Sequence, residues 1–322
     1  MNKAQKALGR LRLPVCAAPM FLVSGPDLVI AACKAGIVGA FPTPNVRTAE
    51  ELDRWMTRIT SELDAARKAD PKAVIGPWAT NLITHSSNAR LAQDLEMVAK
   101  HKPPIVITAL GSPKPAIELV HSYGGLVIAD VVNMALVRKA ITAGVDGLAC
   151  VSAGAGGHTG TLSPFAFVSA VRQVFDGLVI VGGGISDGAG VAGAVAAGAD
   201  LVYMGTSFIP TTESIAVQPH KQMVVDCTLD DIMVSAAITG TPASWLKPSL
   251  RAAGYDPDKM DQPTERNYDA TSAPPKKWLE LFAAGQGLGS SRAIEPVAVV
   301  VDRLEKEYRA ATARFTGLGY GA

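Results

Sequence analysis

The sequence predicts an α/β chain folded as a (β/α)8 barrel of the TIM type, with a small C-terminal insertion serving as a lid. Three observations carry this. Short apolar, β-branched runs alternate eight times with longer segments of helical periodicity. The runs are continuously apolar rather than alternating, as parallel strands buried on both faces are. The length, 322 residues, suits one large barrel. A doubly wound open sheet shares the pattern and stands as the alternative; right-handed crossovers through eight units favour closure.

In order, strand 15–18 leads to helix 26–35, which opens on Pro26 and stops at Gly36. Strand 37–40 leads to helix 48–67, where Thr48-Ala49-Glu50-Glu51 offers a cap and an acidic first turn. Strands 74–78, 105–108 and 126–129 follow, separated by helices 88–100 and 114–123. Helix 133–143, strand 147–151, helix 164–175, strand 178–181, helix 187–197 and strand 201–204 complete the series. The phrase Ala-Gly-Val-Asp-Gly at 143–147 returns as Ala-Gly-Ala-Asp-Leu at 197–201, a glycine stopping the helix before the chain enters the next strand. From 227 to 275 the sequence turns polar and Pro-rich, with Gly240-Thr241-Pro242 and Tyr255-Asp256-Pro257. This predicts a smaller insertion over the barrel mouth, the barrel comprising 1–226 and 276–322. The helical tail 296–312, with Leu304 and Tyr308, is expected to pack back on the barrel.

A formal net charge of +1 and no cluster of basic and aromatic residues argue against nucleic acid or an anionic membrane surface as partner. The four cysteines, Cys16, Cys33, Cys150 and Cys227, form no CxxC pair and no zinc spacing, so neither a metal nor a disulfide framework is expected and a reducing cytoplasm fits. Lys3, Lys6, Arg10 and Arg12 precede an apolar stretch, but Pro14, Pro19 and the Gly25-Pro26-Asp27 turn break it up, and no membrane span is expected. A homo-oligomer is left open.

Barrels of this kind carry their active sites at the C-terminal strand ends. Met20 follows the first strand, Asn81 the third and Asp130 the fifth. The sixth leads into a glycine-rich loop, 152–160, containing His158. The seventh leads into Gly182-Gly183-Gly184 and the eighth into Gly205-Thr206. The glycine triplet before Ile185-Ser186-Asp187 and a helix presents bare amides at a helix N-terminus, an anion site to which Gly205-Thr206-Ser207 adds an amide and a hydroxyl. There is no Walker lysine and no GxGxxG pattern, so a single phosphate fits best; the plainer alternative is that these glycines only make tight turns. His158 alone among the histidines sits in a glycine-flanked loop facing this site, where an imidazole can take a proton near neutral pH. His101 and His121 are expected to be solvated at helix ends, His85 could line the mouth, and His220 belongs to surface or rim. Met97, Met134 and Met233 read as packing, whereas Met20, in Ala-Pro-Met-Phe directly after a strand, is a candidate ligand contact.

The stretches 14–20, 81–85, 105–111, 153–163, 182–190, 203–208 and 283–287 resemble the nitronate monooxygenase family, formerly called 2-nitropropane dioxygenases, over nearly the whole chain. The phrase Ala155-Gly-Gly-His158-Thr-Gly160 with the glycine triplet and Met204-Gly205-Thr206 is fairly specific and is shared with flavin-dependent enoyl-acyl-carrier-protein reductases. The resemblance implies a flavoprotein with FMN bound at Gly182, Gly183, Gly184, Gly205 and Thr206, its ring approached by Met20, Asn81 and Gln286. It implies His158 as the catalytic base or the hydrogen-bond partner of a nitro group. The implied reaction oxidises nitronates or nitroalkanes with O2 to carbonyl compounds and nitrite. Asp130 departs from members that carry a lysine in that register. An NAD(P)H-dependent flavin reductase acting on an enoyl thioester or quinone is the alternative, and a phosphate-ligand sensor without turnover is a third.

Overall fold

The computed structural model describes residues 8–260 and 280–318. Lys3 and Lys6, and residues 261–275 of the expected insertion, lie outside the described residues. Eight parallel strands close a barrel: β1 (Val15–Ala17), β2 (Val38–Pro42), β3 (Trp78–Ile83), β4 (Ile105–Ala109), β5 (Leu126–Val131), β6 (Gly147–Val151), then, past the two-residue strand β7 (Gly157–His158), β8 (Leu178–Gly182) and β9 (Leu201–Met204). Closure comes from β9 pairing with β1, Cys16 beside Tyr203 and Ala17 beside Met204.

Side chains two apart on a strand share a face. Cys16, Val38, Ala79, Ile107, Ile128 and Ile180 fill the barrel's interior, while Val106, Val127, Leu148, Val179 and Val202 belong to the outer core under the helices. That double burial is why the strand sequences are continuously apolar.

The intervening helices are α1 (Pro26–Lys34), α2 (Ala49–Ala69), α3 (Leu91–His101), α4 (Lys114–Ser122), α5 (Met134–Ala143), α6 (Pro164–Arg172) and α7 (Gly188–Ala196). The Thr48 hydroxyl accepts the Glu51 amide at 3.2 Å, and the Asn133 side chain accepts that of Leu136 at 2.9 Å, so short polar residues fix where α2 and α5 begin. The repeated phrase does the same work twice. Gly144 (φ +92°) and Gly198 (φ +112°) end their helices in the left-handed region. The next aspartate then clasps the preceding barrel strand. Asp146 Oδ2 accepts the Val127 amide at 2.8 Å and Asp200 Oδ2 that of Val179 at 2.8 Å. The aspartate amides donate back to the same valines at 2.9 and 2.7 Å.

The third strand lies later than the sequence suggests. Pro77 has no amide to give a ladder, and the Gly76 amide bonds the Cys33 carbonyl of α1 at 2.9 Å, so pairing starts at Trp78 opposite Gly39. The polar stretch after α8 (Gln218–Asp226) also differs from expectation, since it contains two strands, β10 (Ile232–Ser235) and β11 (Ala243–Leu246). With β7 they form a second sheet in the order β10-β11-β7. Trp245, wholly buried, packs there with Ile238, Leu250, Met260 and Leu281. The short helix α9 (Lys247–Ala252) follows. The tail helix α10 (Val297–Gly317) lies on α7 so closely that a Cβ at Gly188 would stand 2.2 Å from the Leu304 carbonyl oxygen.

Candidate active site

At the C-terminal ends of the barrel strands, segments distant in sequence meet on one carbonyl. Gly154 O, in the loop after β6, accepts the Gly184 amide at 3.1 Å and the Gln286 amide at 2.8 Å. The Gln286 side chain bends back over the same loop, where a Cβ on Gly154 would come 2.8 Å from its Oε1. Next to it the Gly285 amide donates to Thr206 Oγ1 at 2.8 Å, leaving the buried threonine its own hydroxyl proton to donate. Met20, half-buried, covers Gly205, where a Cβ would lie 3.2 Å from the methionine sulfur. Gly182 ends β8 against Tyr203, and its carbonyl accepts the Ser152 amide at 2.8 Å. Gly184 and Gln286 thus share the Gly154 carbonyl, Thr206 is tied to Gly285 beside them, and Met20 lies against Gly205. Two cavities share Gly184 and Gln286 in their walls. One, of about 540 Å³, runs under Leu229, Ile232, Met233 and Val234. The other, of about 430 Å³, runs along Gly183, Ile185 and Ser186 toward Phe165 and Val168. Both have the size of small-molecule sites.

The anion-binding expectation needs one correction. The N-terminus of α7 is already served by carboxylates: Asp187 Oδ1 accepts the Gly190 amide at 2.6 Å and Glu307 Oε2, from α10, accepts that of Gly188 at 2.9 Å. An anion here has the glycine turn 183–186 and Thr206 to draw on, not the helix end. Gly183 (φ +145°) and Gly184 (φ +68°) hold backbone conformations that side chains disfavour.

His158 lies on β7, paired antiparallel with Ala243, and Gly157 with Ser244. The Thr159 amide donates to Pro242 O at 3.1 Å and its hydroxyl to Ser152 O at 3.1 Å, so the histidine loop is pinned to the hairpin on one side and to the end of β6 on the other. The imidazole is half-buried. On the barrel side, Asn81 is buried and its Nδ2 has no partner among the described residues. Asp130 Oδ1 is likewise sealed without one, and burial pushes this carboxyl up to about 7.

A family model described as nitronate monooxygenase matches residues 2–251. The chain belongs to the nitronate monooxygenase family. It is 28% identical to a nitronate monooxygenase of Paraburkholderia phytofirmans, the match covering 92% of each chain. Among solved structures it resembles nitroalkane oxidase from Streptomyces ansochromogenes (TM-score 0.80, 22% identity, covering 97% of this chain and 100% of that one). It also resembles FabK from Thermotoga maritima (TM-score 0.78, 24% identity, 99% of each). At those identities the two structures attest the barrel fold alone.

Against this family background the other histidines fall into place. His220 is neither surface nor rim. It is buried in the first turn of α8, stacked 4.7 Å from the Phe282 ring, and bonds the Ala283 carbonyl through Nε2 at 2.9 Å. It thereby fastens the segment that delivers Gly285 and Gln286, and burial pulls its pKa down to about 4. His101, expected to be solvated, is 9% exposed and meets Asp53 at 2.5 Å. His121 meets Asp146 at 2.7 Å, bracing the clasp between β5 and β6. All four cysteines are free and buried. Among the described residues no helix is long and apolar enough to cross a membrane.

Proposed function

We propose that this chain is an FMN-dependent oxidoreductase that converts nitronates and nitroalkanes, with O2, into carbonyl compounds and nitrite. The single observation that carries the proposal is the meeting of the His158 loop, the 183–184 glycine turn and the Gln286 segment on the Gly154 carbonyl. The histidine loop and the glycine turn are thereby joined at one mouth.

The residues present fit a flavin on two counts. The turn at Gly184 is open on its free side, the nearest atom to a Cβ there being Gln286 Cβ at 3.6 Å, so a phosphoryl group can approach the turn beside the Thr206 hydroxyl while the Gly184 amide itself stays on Gly154 O. The buried amide of Asn81 lacks a partner among the described residues, as a group reserved for a ligand's polar edge would. In this reading Gly182, Gly183, Gly184, Gly205 and Thr206 hold the phosphate end, and Met20, Asn81 and Gln286 flank the ring. FMN, when bound, supplies the electron chemistry. The chain's part is to exclude water, orient the substrate and move one proton. His158 would accept the α-proton of a neutral nitroalkane at an imidazole nitrogen, or hydrogen-bond the nitro oxygens of a nitronate that already lacks it.

The test is direct. Purified protein reconstituted with FMN should be yellow, consume O2 with alkyl nitronates and release nitrite. A protein that takes up FMN yet is reduced by NADH or NADPH and not by nitronate would instead favour a reductase.

A further inference from the structure

Just inside the barrel mouth, three polar groups are buried without partners among the described residues: Asn81 Nδ2, Asp130 Oδ1 and the Tyr203 hydroxyl. They come from β3, β5 and β9, near the C-terminal end of each. Tyr203 belongs to the interior cluster; Asn81 lies two residues beyond Ala79 and Asp130 two beyond Ile128, both interior residues, so all three face inward. Unpaired polar groups are costly in so apolar a place, and native structures keep them where something else completes them.

Among the described residues nothing around Asp130 holds it as an anion. Burial alone moves Asp130, and the titratable groups that feel its charge are Cys16 on β1 and Tyr203 on β9, both acids. Of the flanking strands, β4 carries no ionisable residue, and β6 carries only Cys150, which belongs to the outer core. Behind β5, Lys114, Glu118 and His121 of α4 and Arg138 and Lys139 of α5 are exposed on the outside of the barrel. A carboxyl so placed is stable as the neutral acid, which can donate as well as accept a hydrogen bond.

We propose that Asp130 is a ligand-facing residue of this site, a neutral carboxylic acid that donates a hydrogen bond to the pyrimidine edge of the bound flavin. The inference rests on the flavin reading above. That edge alternates acceptor, donor and acceptor. A carboxylic acid and a primary amide each offer a donor and an acceptor, so Asp130 and Asn81 together complement it. Burial, which raises the carboxyl to about 7, keeps the proton in place below neutrality. Ionisation above that removes the donor and sets a negative charge against electron-rich atoms.

The experiment titrates FMN into flavin-free protein at pH 6 and pH 9, reading flavin fluorescence, for the parent, Asp130→Asn and Asp130→Leu. The parent should bind FMN about tenfold more weakly at pH 9, the size of one lost hydrogen bond. Asp130→Asn, whose donor does not titrate, should bind equally at both values, and it carries the same flavin phosphate and so controls for that group's titration. Asp130→Leu should be about tenfold weaker at both. The carbon-13 carboxyl resonance of Asp130 in flavin-free protein should titrate near 7; a midpoint in the ordinary carboxylate range overturns the proposal. So does a parent that binds FMN equally at both pH values, or an Asn variant that keeps the parent's pH dependence. A parent that takes up no FMN at either pH fails differently, overturning the flavin reading and this inference with it.

Discussion

The backbone of His158 is paired in antiparallel register with that of Ala243, which makes the histidine loop an edge of the β10–β11 sheet. The loop that carries the imidazole is therefore held in place by main-chain bonds. The sheet continues through Leu246, whose amide bonds Phe282 O at 2.9 Å, toward the segment bearing Gln286.

Removing the imidazole should accordingly leave the loop standing. His158→Ala is expected to retain bound flavin, with an unchanged visible spectrum. It should lose turnover of neutral nitroalkanes by about 10²–10⁴-fold, the range for a lost acid–base group. Turnover of pre-formed nitronates, which need no proton removed, should fall less. Stopped-flow or oxygen-electrode assays on both substrate forms check this, and equal losses on the two would refute the base role.

Gly184→Ala tests the phosphate turn. The residue sits at φ +68° with open space beyond it, so the substitution should cost about 1–2 kcal/mol in backbone strain, which the barrel survives, while the new Cβ weakens FMN binding. Gly183→Ala should be worse for folding, because its Cβ would lie 2.5 Å from the Ala153 carbonyl oxygen. Thermal melts paired with FMN titrations separate the two effects.

His220 gives a pH dependence with a definite sign. In the fold it stays neutral down to about pH 4, whereas the unfolded chain takes up that proton near 6.5. Between these values the unfolded state binds more protons, so the contribution is intact above pH 6.5 and is lost as pH falls toward 4, by roughly 3 kcal/mol at most. Urea melts across that window should show His220→Gln less acid-sensitive than the parent. Hydrogen exchange should report the loosening first in residues 280–288.

Arg90 and Asp94 form an ion pair at 2.8 Å, with side chains 5% and 2% exposed. Thr43 Oγ1 donates to the other carboxylate oxygen at 2.7 Å, and the guanidinium also bonds the carbonyls of Val46 and Thr43. Asp94→Ala strands a buried cation and should destabilise the fold by about 3–5 kcal/mol. Denaturant unfolding measures this directly, and a loss under 1 kcal/mol would mean that water reaches Arg90.

The barrel was legible because its physics is local. Strands buried on both faces must be apolar at every position, and helix starts carry their own caps at Thr48, Asn133 and Asp187. The third strand was misplaced because Val74 and Ile75 are as apolar as a strand, while the ladder is decided by which backbone amides are free to pair. The small sheet is not legible in the sequence because β10 and β11 are four residues each, too short for a period to show, and one of their partners is the histidine loop itself.

By itself, then, the sequence determined the eight-strand barrel and the glycine-rich loops that follow its strands, since periodicity, caps and glycine turns act over a few neighbours. Only the tertiary structure decided that Glu307 and Asp187 occupy the end of α7, that His220 is a buried fastener and that Asp130 lacks a counter-cation among the described residues. Each of those depends on which groups meet across the fold, and a charge's ionisation or an amide's availability is set by its neighbours in space.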